Sequence, residues 1–309
     1  MKKILTVLLL GPLLSLLFLP GCGDEIPDHR FDFSLLEPRT GRILTVGEVP
    51  AHSIVEMLQR RQKFQAYLGE KLDLEVQFRF AASYEQIIDG LKNNRFDLAV
   101  LGPLAYVQAA EKTDYTPLVR PVRFGSPSYR AMIFTHAESG ITSVSQLRDR
   151  TIAFVDPDSA SGYLFPRSHM ISEYNLDPET DMSRVSYVGG HDRVAEVVLD
   201  GQFAAGATYD DARMEIFETT EEADDNLPVL TRTAPIPSEP LVISPRIRND
   251  EELYEKLKEL LLNLHREEQG REALRSLGEN MEELIPARDE DYDDVREVRE
   301  ILGINGEEN

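Results

Sequence analysis

From Gly41 onward, strand signals and helix signals alternate along the chain, a pattern that commits a sequence to layers of helix on largely parallel sheet. Ile43 to Val46 is a short apolar run, and Pro50 to Glu70 sets Ile54, Leu58, Phe64 and Leu68 on roughly helical spacing. Leu74 to Phe80 alternates apolar and polar residues, as a half-buried strand does. Ser83 stands as a helix cap ahead of Ile87, Ile88 and Leu91, and the apolar run Asp97 to Leu101 ends in the turn Gly102-Pro103. After about residue 135 the alternation resumes: strand Thr151 to Val155, helix, strand Val185 to Val188, helix Arg193 to Leu199, strand Ala204 to Thr208. Ligands of such sheets bind at the carboxyl ends of the strands.

One of those ends carries unusual chemistry. After Phe154-Val155 comes Asp156-Pro157-Asp158-Ser159-Ala160-Ser161-Gly162, then residues to about Glu173 whose Pro166 fits a first helical turn. The segment is a strand, a tight polar turn and a helix start. Two hydroxyls and a glycine at a helix N-terminus bring free N–H groups and the positive dipole end to one point, a place for a tetrahedral oxyanion. The residues alone serve equally for Ser159 or Ser161 merely capping a helix.

Asp156 to Pro166 resembles the Asp-Pro-Asn-Ser-Thr-Ser-Gly-(Phe/Tyr)-Leu-x-Pro motif of the phosphonate, phosphite and phosphate substrate-binding proteins of ABC transporters. The resemblance implies that Ser159, Ala160 and Ser161, with Gly162 beside them, grip a phosphorus oxyanion through hydroxyl and N–H groups. Ala160 stands where the family has Thr and lacks one hydroxyl. Tyr84, in Ala81-Ala82-Ser83-Tyr84, is similar to a family tyrosine that donates to the phosphonate; alone, such a tyrosine is ordinary half-buried packing. Gly125-Ser126-Pro127-Ser128-Tyr129 resembles the family's Gly-Ser-Pro-Gly-Tyr crossing and offers Tyr129 as a second ligand contact. His191 follows Gly189-Gly190 at a strand's carboxyl end and matches the family's phosphonate-binding histidine; an imidazole can donate to the anion whether neutral or charged. The other five histidines show no metal spacing, and no cofactor is expected.

In the family's aminoalkylphosphonate binders, two carboxylates hold the ligand ammonium. Glu239, in Ile236-Pro237-Ser238-Glu239-Pro240, falls at one of them. At the other, Ala212 takes the aligned position with Asp210 and Asp211 adjacent. A carboxylate there would serve an amine, or accept the proton of a P–OH group, while Asp210 would equally cap a helix.

Lys2 and Lys3 precede the apolar run Ile4 to Leu19, which ends in Leu19-Pro20-Gly21-Cys22. This is the pattern of a secretory leader with a lipoprotein cleavage box, making Cys22 the acylated first residue. A transmembrane span fits less well, because the run is short and broken by Gly11, Pro12 and Pro20. Cys22 is the chain's single cysteine, so disulfides are excluded. Residues 23–42 are polar, aperiodic and carry Pro27 and Pro38, as a tether does. The formal charge of −22 becomes −24 without Lys2 and Lys3. Such a balance argues against nucleic acid or an anionic membrane surface as partner. It also means an anion must be held by local donors, since the overall field repels it.

The roughly 265 residues beyond the tether suffice for two lobes. The order of pieces matches a two-lobe periplasmic-binding-protein clamshell of type II, each lobe a mainly parallel sheet flanked by helices. Expected divisions are leader 1–22, tether 23–42, lobe 1 at 43–132 plus 236–309, and lobe 2 at 133–235. The outward crossing falls at Gly125 to Tyr129 and the return at Ala234 to Pro240, whose prolines suit a hinge. Residues 249–303 are expected to be helical and to pack on lobe 1. The stretch Asp289 to Asn309 holds nine acids against two arginines, the mark of a solvated face.

No Gly-x-Ser-x-Gly elbow, Walker loop or metal-ligand cluster is present, and nothing orients a Ser159–His191 dyad, so a hydrolase is the weaker reading. The expectation is an extracytoplasmic, lipid-anchored binding protein that closes on a phosphorus oxyanion for an ABC permease. A sensing subunit that presents the same anion to a signalling partner would use the same clamshell.

Overall fold

Strand β1 (Ile43–Glu48) leads through α1 (Ile54–Leu72) to β2 (Glu75–Phe80), through α2 (Tyr84–Lys92) to β3 (Leu98–Val100), and on to α3 (Pro103–Lys112) and β4 (Thr116–Arg123). The computed structural model describes residues 42–50, 54–210, 212–278 and 280–304. The leader, Cys22 and the tether expected from sequence lie outside them. Among the described residues no helix is long and apolar enough to cross a membrane. Strands β2, β1 and β3 run parallel, with Ile43 opposite Glu75 and Val46 opposite Leu98. Helix α1 buries Phe64 and Leu68 of the predicted stripe against Val46 and Val76, whereas Ile54 and Leu58 in its first turns are exposed and Met57 and Arg61 are buried instead. Each such side chain contributes roughly 1.5–3 kcal/mol by leaving water.

The second sheet comprises β5 (Ser128–Thr135), β6 (Thr151–Phe154), β7 (Arg184–Tyr187), β8 (Ala205–Tyr209) and β9 (Val229–Pro237). Helices α4 (Phe165–Tyr174), α5 (Pro178–Asp181), α6 (His191–Leu199) and α7 (Thr220–Asn226) connect its strands. The spatial order is β7-β6-β8-β5-β9. Strands β7, β6 and β8 are parallel, with Thr151 opposite Arg184 and Ala153 opposite Gly206. The chain then returns through β10 (Leu241–Ile243), α8 (Pro245–Arg248), α9 (Glu251–Leu262), α10 (Glu268–Leu277), β11 (Met281–Pro286) and α11 (Asp293–Ile301). This completes a first sheet of order β11-β4-β10-β3-β1-β2.

The molecule is therefore the expected two-lobe α/β clamshell, with a three-stranded parallel portion in each sheet. The strands nearest the crossings are antiparallel: β10 beside β3 and β4, and β5 beside β8 and β9. Chain that arrives from the other lobe enters the sheet from its carboxyl edge and must run against the strands ending there. The divisions expected at 132/133 and 235/236 fall inside or at the end of strands that belong wholly to the second sheet, β5 and β9. The sheets change hands at 124–127 and 238–240.

At the first crossing Arg123 and Ser126 exchange both backbone hydrogen bonds at 2.9 Å, while Phe124 and Gly125 have φ of 52° and 69°. Two positive φ values in a two-residue loop are the I′ geometry that matches strand twist, and Gly125 meets the requirement without steric cost. At the second, the Ser238 N–H donates to the Pro127 carbonyl at 3.0 Å, tying the two crossings together.

The C-terminal segment departs from expectation in two ways. Strand β11 interrupts it, pairing antiparallel with β4 at Leu284 opposite Pro121. Its sequence, Met-Glu-Glu-Leu-Ile-Pro, has neither clean alternation nor β-branched enrichment, and it gains its place as an edge strand where charge and Pro286 are tolerated. The acidic stretch is more than a solvated face, because Tyr292 and Val295 are fully buried. Arg299 is buried as well and pairs with Glu111 of α3 at 2.8 Å. The Tyr292 hydroxyl donates to the Ser238 carbonyl at 3.0 Å, fastening this segment to the second crossing.

Candidate ligand-binding site

The turn after β6 is held open by its own hydrogen bonds. The Asp158 N–H donates to Asp156 Oδ1 at 2.8 Å and the Ser159 N–H to the Asp156 carbonyl at 3.0 Å, the local bonding that makes aspartate a turn residue. Ser159 is extended and caps the succeeding helical turn, its Oγ accepting from the Gly162 N–H at 2.9 Å. That turn, Ala160–Leu164, is a single π-helical one that runs into α4. Such wide turns are rare and gather at functional positions. The Val155 N–H donates to the Gly162 carbonyl at 3.1 Å, folding the turn back on β6. No described backbone carbonyl accepts from the N–H groups of Ala160 and Ser161, which are donors at the dipole's positive end.

Gly162 is demanded by space. A Cβ there would lie 2.4 Å from Val155 Cβ and 2.8 Å from Ser159 Oγ. Ser159, Ala160 and Ser161 are each buried.

What covers them comes from both lobes. Tyr84, the first residue of α2, brings its phenol to the Ser159 hydroxyl, and Tyr129 of β5 brings its phenol to that of Ser161. Gln108 of α3 donates to Asp158 Oδ1 at 2.7 Å, and Leu104 and Ala105 share an apolar cluster with Ala160 and Leu164. The lobes meet at this turn. Burial, helped by the charges of Asp156 and Asp158, pushes the Tyr84 phenol up to about 12, with the Ser159 hydroxyl acting the other way. Burial likewise raises Tyr129 against the pull of Ser161. Both are neutral donors over the physiological range. Asp156 is raised too, by burial first and by the charge of Asp158, against the Asp158 N–H bond.

His191 opens α6 just beyond Gly189, whose N–H continues the β7 pairing onto the Val155 carbonyl at 2.9 Å. Its Nδ1 lies 2.6 Å from Thr208 Oγ1 on β8, and its ring is 4.7 Å from that of Tyr209. Because β6 lies between β7 and β8, this bond spans the carboxyl end of the strand from which the Ser159 turn departs. Among the described residues no group of three or more metal-ligating side chains occurs. Two surface hollows, of about 430 Å³ beside Tyr106 and Arg248 and about 660 Å³ beside His136 and Phe203, share no residue with the turn.

The strand-turn-helix segment at the meeting point of two lobes lies within the stretch that a family model matches. The family model for the phosphonate periplasmic substrate-binding proteins of ABC transporters matches residues 46–292. The chain belongs to this family. It is 28% identical over 279 residues to the phosphate-import protein PhnD of Mycolicibacterium smegmatis, covering 84% of this chain and 86% of that one. A binding protein component of an ABC phosphonate transporter from Pseudomonas aeruginosa superposes with a TM-score of 0.75 at 20% identity, over 87% of this chain and 91% of that one. PhnD1 of Prochlorococcus marinus, in complex with methylphosphonate, superposes with a TM-score of 0.75 at 21% identity, over 84% and 98% of the two chains. These likenesses show the two-lobe fold. Membership makes this an extracytoplasmic substrate-binding protein rather than an enzyme.

In this phosphonate-family chain, the residues singled out by sequence divide into two groups. Ser159, Ala160, Ser161 and Gly162 are buried, with the partly buried Tyr84 and Tyr129 packed against them and His191 on the same sheet edge. Among the described carboxylates, Asp210 and Glu239 each accept from an arginine. Asp210 Oδ1 accepts from Arg232 Nε of β9 at 2.8 Å. Asp211 lies outside the described residues, and Ala212 is buried. Both oxygens of Glu239 accept from the Arg123 guanidinium, one at 3.1 Å and the other closer. Arg123, Thr208 and Gln108, which contact Glu239, His191 and Asp158, are the residues around the candidate site that sequence reasoning missed. Each is a single polar residue in an ordinary strand or helix, and only the arginine's place directly before Phe124-Gly125 was a signal.

Proposed function

We propose that this protein is a lipid-anchored solute-binding protein that captures a small phosphorus oxyanion, phosphate, phosphite or phosphonate, and delivers it to an ABC permease. The reading is carried by one observation: the N–H groups of Ala160 and Ser161 and the hydroxyls of Ser159 and Ser161 converge at a helix front, faced by the phenols of Tyr84 and Tyr129. Donors alone, at a dipole's positive end, suit an anion that the chain's net charge would otherwise repel. His191 adds a donor from the far side of β6. Ala160 supplies only its N–H, so this site offers one hydroxyl fewer than the family motif. Because Tyr84 belongs to the first lobe and the turn to the second, a bound anion contacts both and favours the closed state by differential contact.

The expected leader 1–22 and tether 23–42 support anchoring through a diacylglyceryl-modified Cys22 at the outer face of the cytoplasmic membrane or in the periplasm. We assign the lobes as residues 43–123 with 241–304, and 128–237, joined by the two crossings. Calorimetry on protein lacking residues 1–22 tests the binding reading: phosphate, phosphite or methylphosphonate should bind, sulfate should not, and Ser161→Ala and His191→Ala should each weaken binding. Heat with sulfate alone would refute it. Loss of palmitate labelling in Cys22→Ala tests the anchor.

A further inference from the structure

The carboxylate that sequence offered to a ligand ammonium is already engaged. Arg123 ends β4 at the first crossing, and Glu239 sits in the second; the guanidinium fork meets both carboxylate oxygens, Nη1 to Oε2 at 3.1 Å and Nη2 to Oε1. Both side chains are about a quarter exposed, at 23% and 25%, so the pair is partly shielded from water. It also stands near the site: Tyr129, whose phenol faces Ser161, pairs with Ile236 where β5 and β9 adjoin the two crossings, and the Ser238 N–H beside Glu239 donates to the Pro127 carbonyl at 3.0 Å. A bidentate arginine–carboxylate contact is among the strongest charge-assisted pairings, and the pair as a whole carries no net charge. The second carboxylate suggested by sequence, Asp210, is likewise held by an arginine, Arg232.

We propose that the Arg123–Glu239 pair makes the wall beside the anion turn electrically neutral, so that the site selects phosphorus oxyanions without an ammonium substituent. An aminoalkylphosphonate whose ammonium lies against this wall would have to displace a guanidinium from Glu239 or go without a counter-charge there. A bare anion or one with a small alkyl group meets neither cost. Asp156 and Asp158 also act on Tyr84, and their Oδ1 atoms accept from the Asp158 N–H and Gln108, so they are the competing carboxylates that the test must separate from Glu239.

This inference rests on the oxyanion reading, and the test separates the two. Calorimetric titration of the wild-type chain with methylphosphonate and with 2-aminoethylphosphonate should give at least about a tenfold preference for methylphosphonate. Absence of binding by methylphosphonate, phosphite and phosphate would refute the oxyanion reading itself. Binding of methylphosphonate without that preference would refute only the neutral-wall inference. Arg123→Met, which frees Glu239, should shift the ratio toward 2-aminoethylphosphonate by about tenfold or more, and adding Glu239→Gln should cancel the shift. A folded Arg123→Met variant with an unchanged ratio would overturn the inference, as would wild-type binding of the amine that is lost in Asp158→Asn. The wild-type ratio decides the matter even if Arg123→Met fails to fold.

Discussion

Thr208 Oγ1 stands 2.6 Å from His191 Nδ1, across the carboxyl end of the strand that launches the anion turn. Thr208 is fully buried while the imidazole is half-exposed. If the hydroxyl donates to Nδ1, the neutral ring carries its proton on Nε2. Thr208 thus holds the imidazole in place through Nδ1. Thr208→Val, similar in shape but without the hydroxyl, should weaken phosphate or methylphosphonate binding at neutral pH by about three- to tenfold, in line with a hydrogen bond of roughly 1 kcal/mol. Thr208→Ser should restore it, and calorimetry checks both. Equal affinities for all three proteins would show that Thr208 merely packs.

Gly162→Ala should be far more damaging than its single methyl suggests. The new Cβ would meet Val155 Cβ at 2.4 Å and Ser159 Oγ at 2.8 Å, so the turn must open or Ser159 must give up its cap. Overpacking of this kind costs about 1–3 kcal/mol. Anion affinity should fall at least about tenfold, because the donors of Ser159, Ala160 and Ser161 just before residue 162 move with it. Thermal denaturation and titration of the same preparation distinguish a displaced turn from an unfolded chain.

The parts of this site that were legible in sequence are those whose chemistry is local. The turn from Asp156 to Gly162 makes its own hydrogen bonds within six residues, so its residue types announce it. Tyr84 and Tyr129 carry no such mark and were found through the family motif, since a tyrosine's role depends on what the other lobe brings to it. Arg123 and Glu239 are 116 residues apart, and nothing near either predicts their meeting. The same holds for β11, whose acids read as surface until the edge of a sheet supplies their context. Local propensity also misses the antiparallel strands, because direction is decided by where the chain re-enters a lobe.

The buried pair Glu48–Arg61 should matter for stability and not for ligand choice. Arg61 Nε and Nη2 reach the carboxylate at 2.8 and 2.5 Å, and Nη1 donates to the Ser276 carbonyl, joining β1, α1 and α10. Both side chains are over nine-tenths buried. Removing one partner strands the other charge, so Arg61→Ala should lower unfolding free energy by about 3–5 kcal/mol. The methylphosphonate-to-phosphate affinity ratio of the folded protein should not move. Urea denaturation and titration provide the two readouts.

Asp156 gives a prediction with a definite sign. Burial holds its folded-state carboxyl above the ordinary aspartate range, so ionisation is less favourable in the fold than in the unfolded chain. The unfolded state releases this proton first as pH rises, and the group therefore subtracts stability across the window between its unfolded and folded values and continues to do so above it. Asp156→Asn keeps an Oδ1 acceptor for the Asp158 N–H and removes the charge. The variant should be at least as stable as wild type at pH 7 and lose that advantage in acid, below the ordinary aspartate range. It should also bind the anion more tightly at pH 7, since one negative charge beside Tyr84 and the turn is gone. A variant that is weaker in both respects at pH 7 would show that the ionised carboxylate is required by the turn, and thermal denaturation across pH 3 to 8 with parallel titrations measures both.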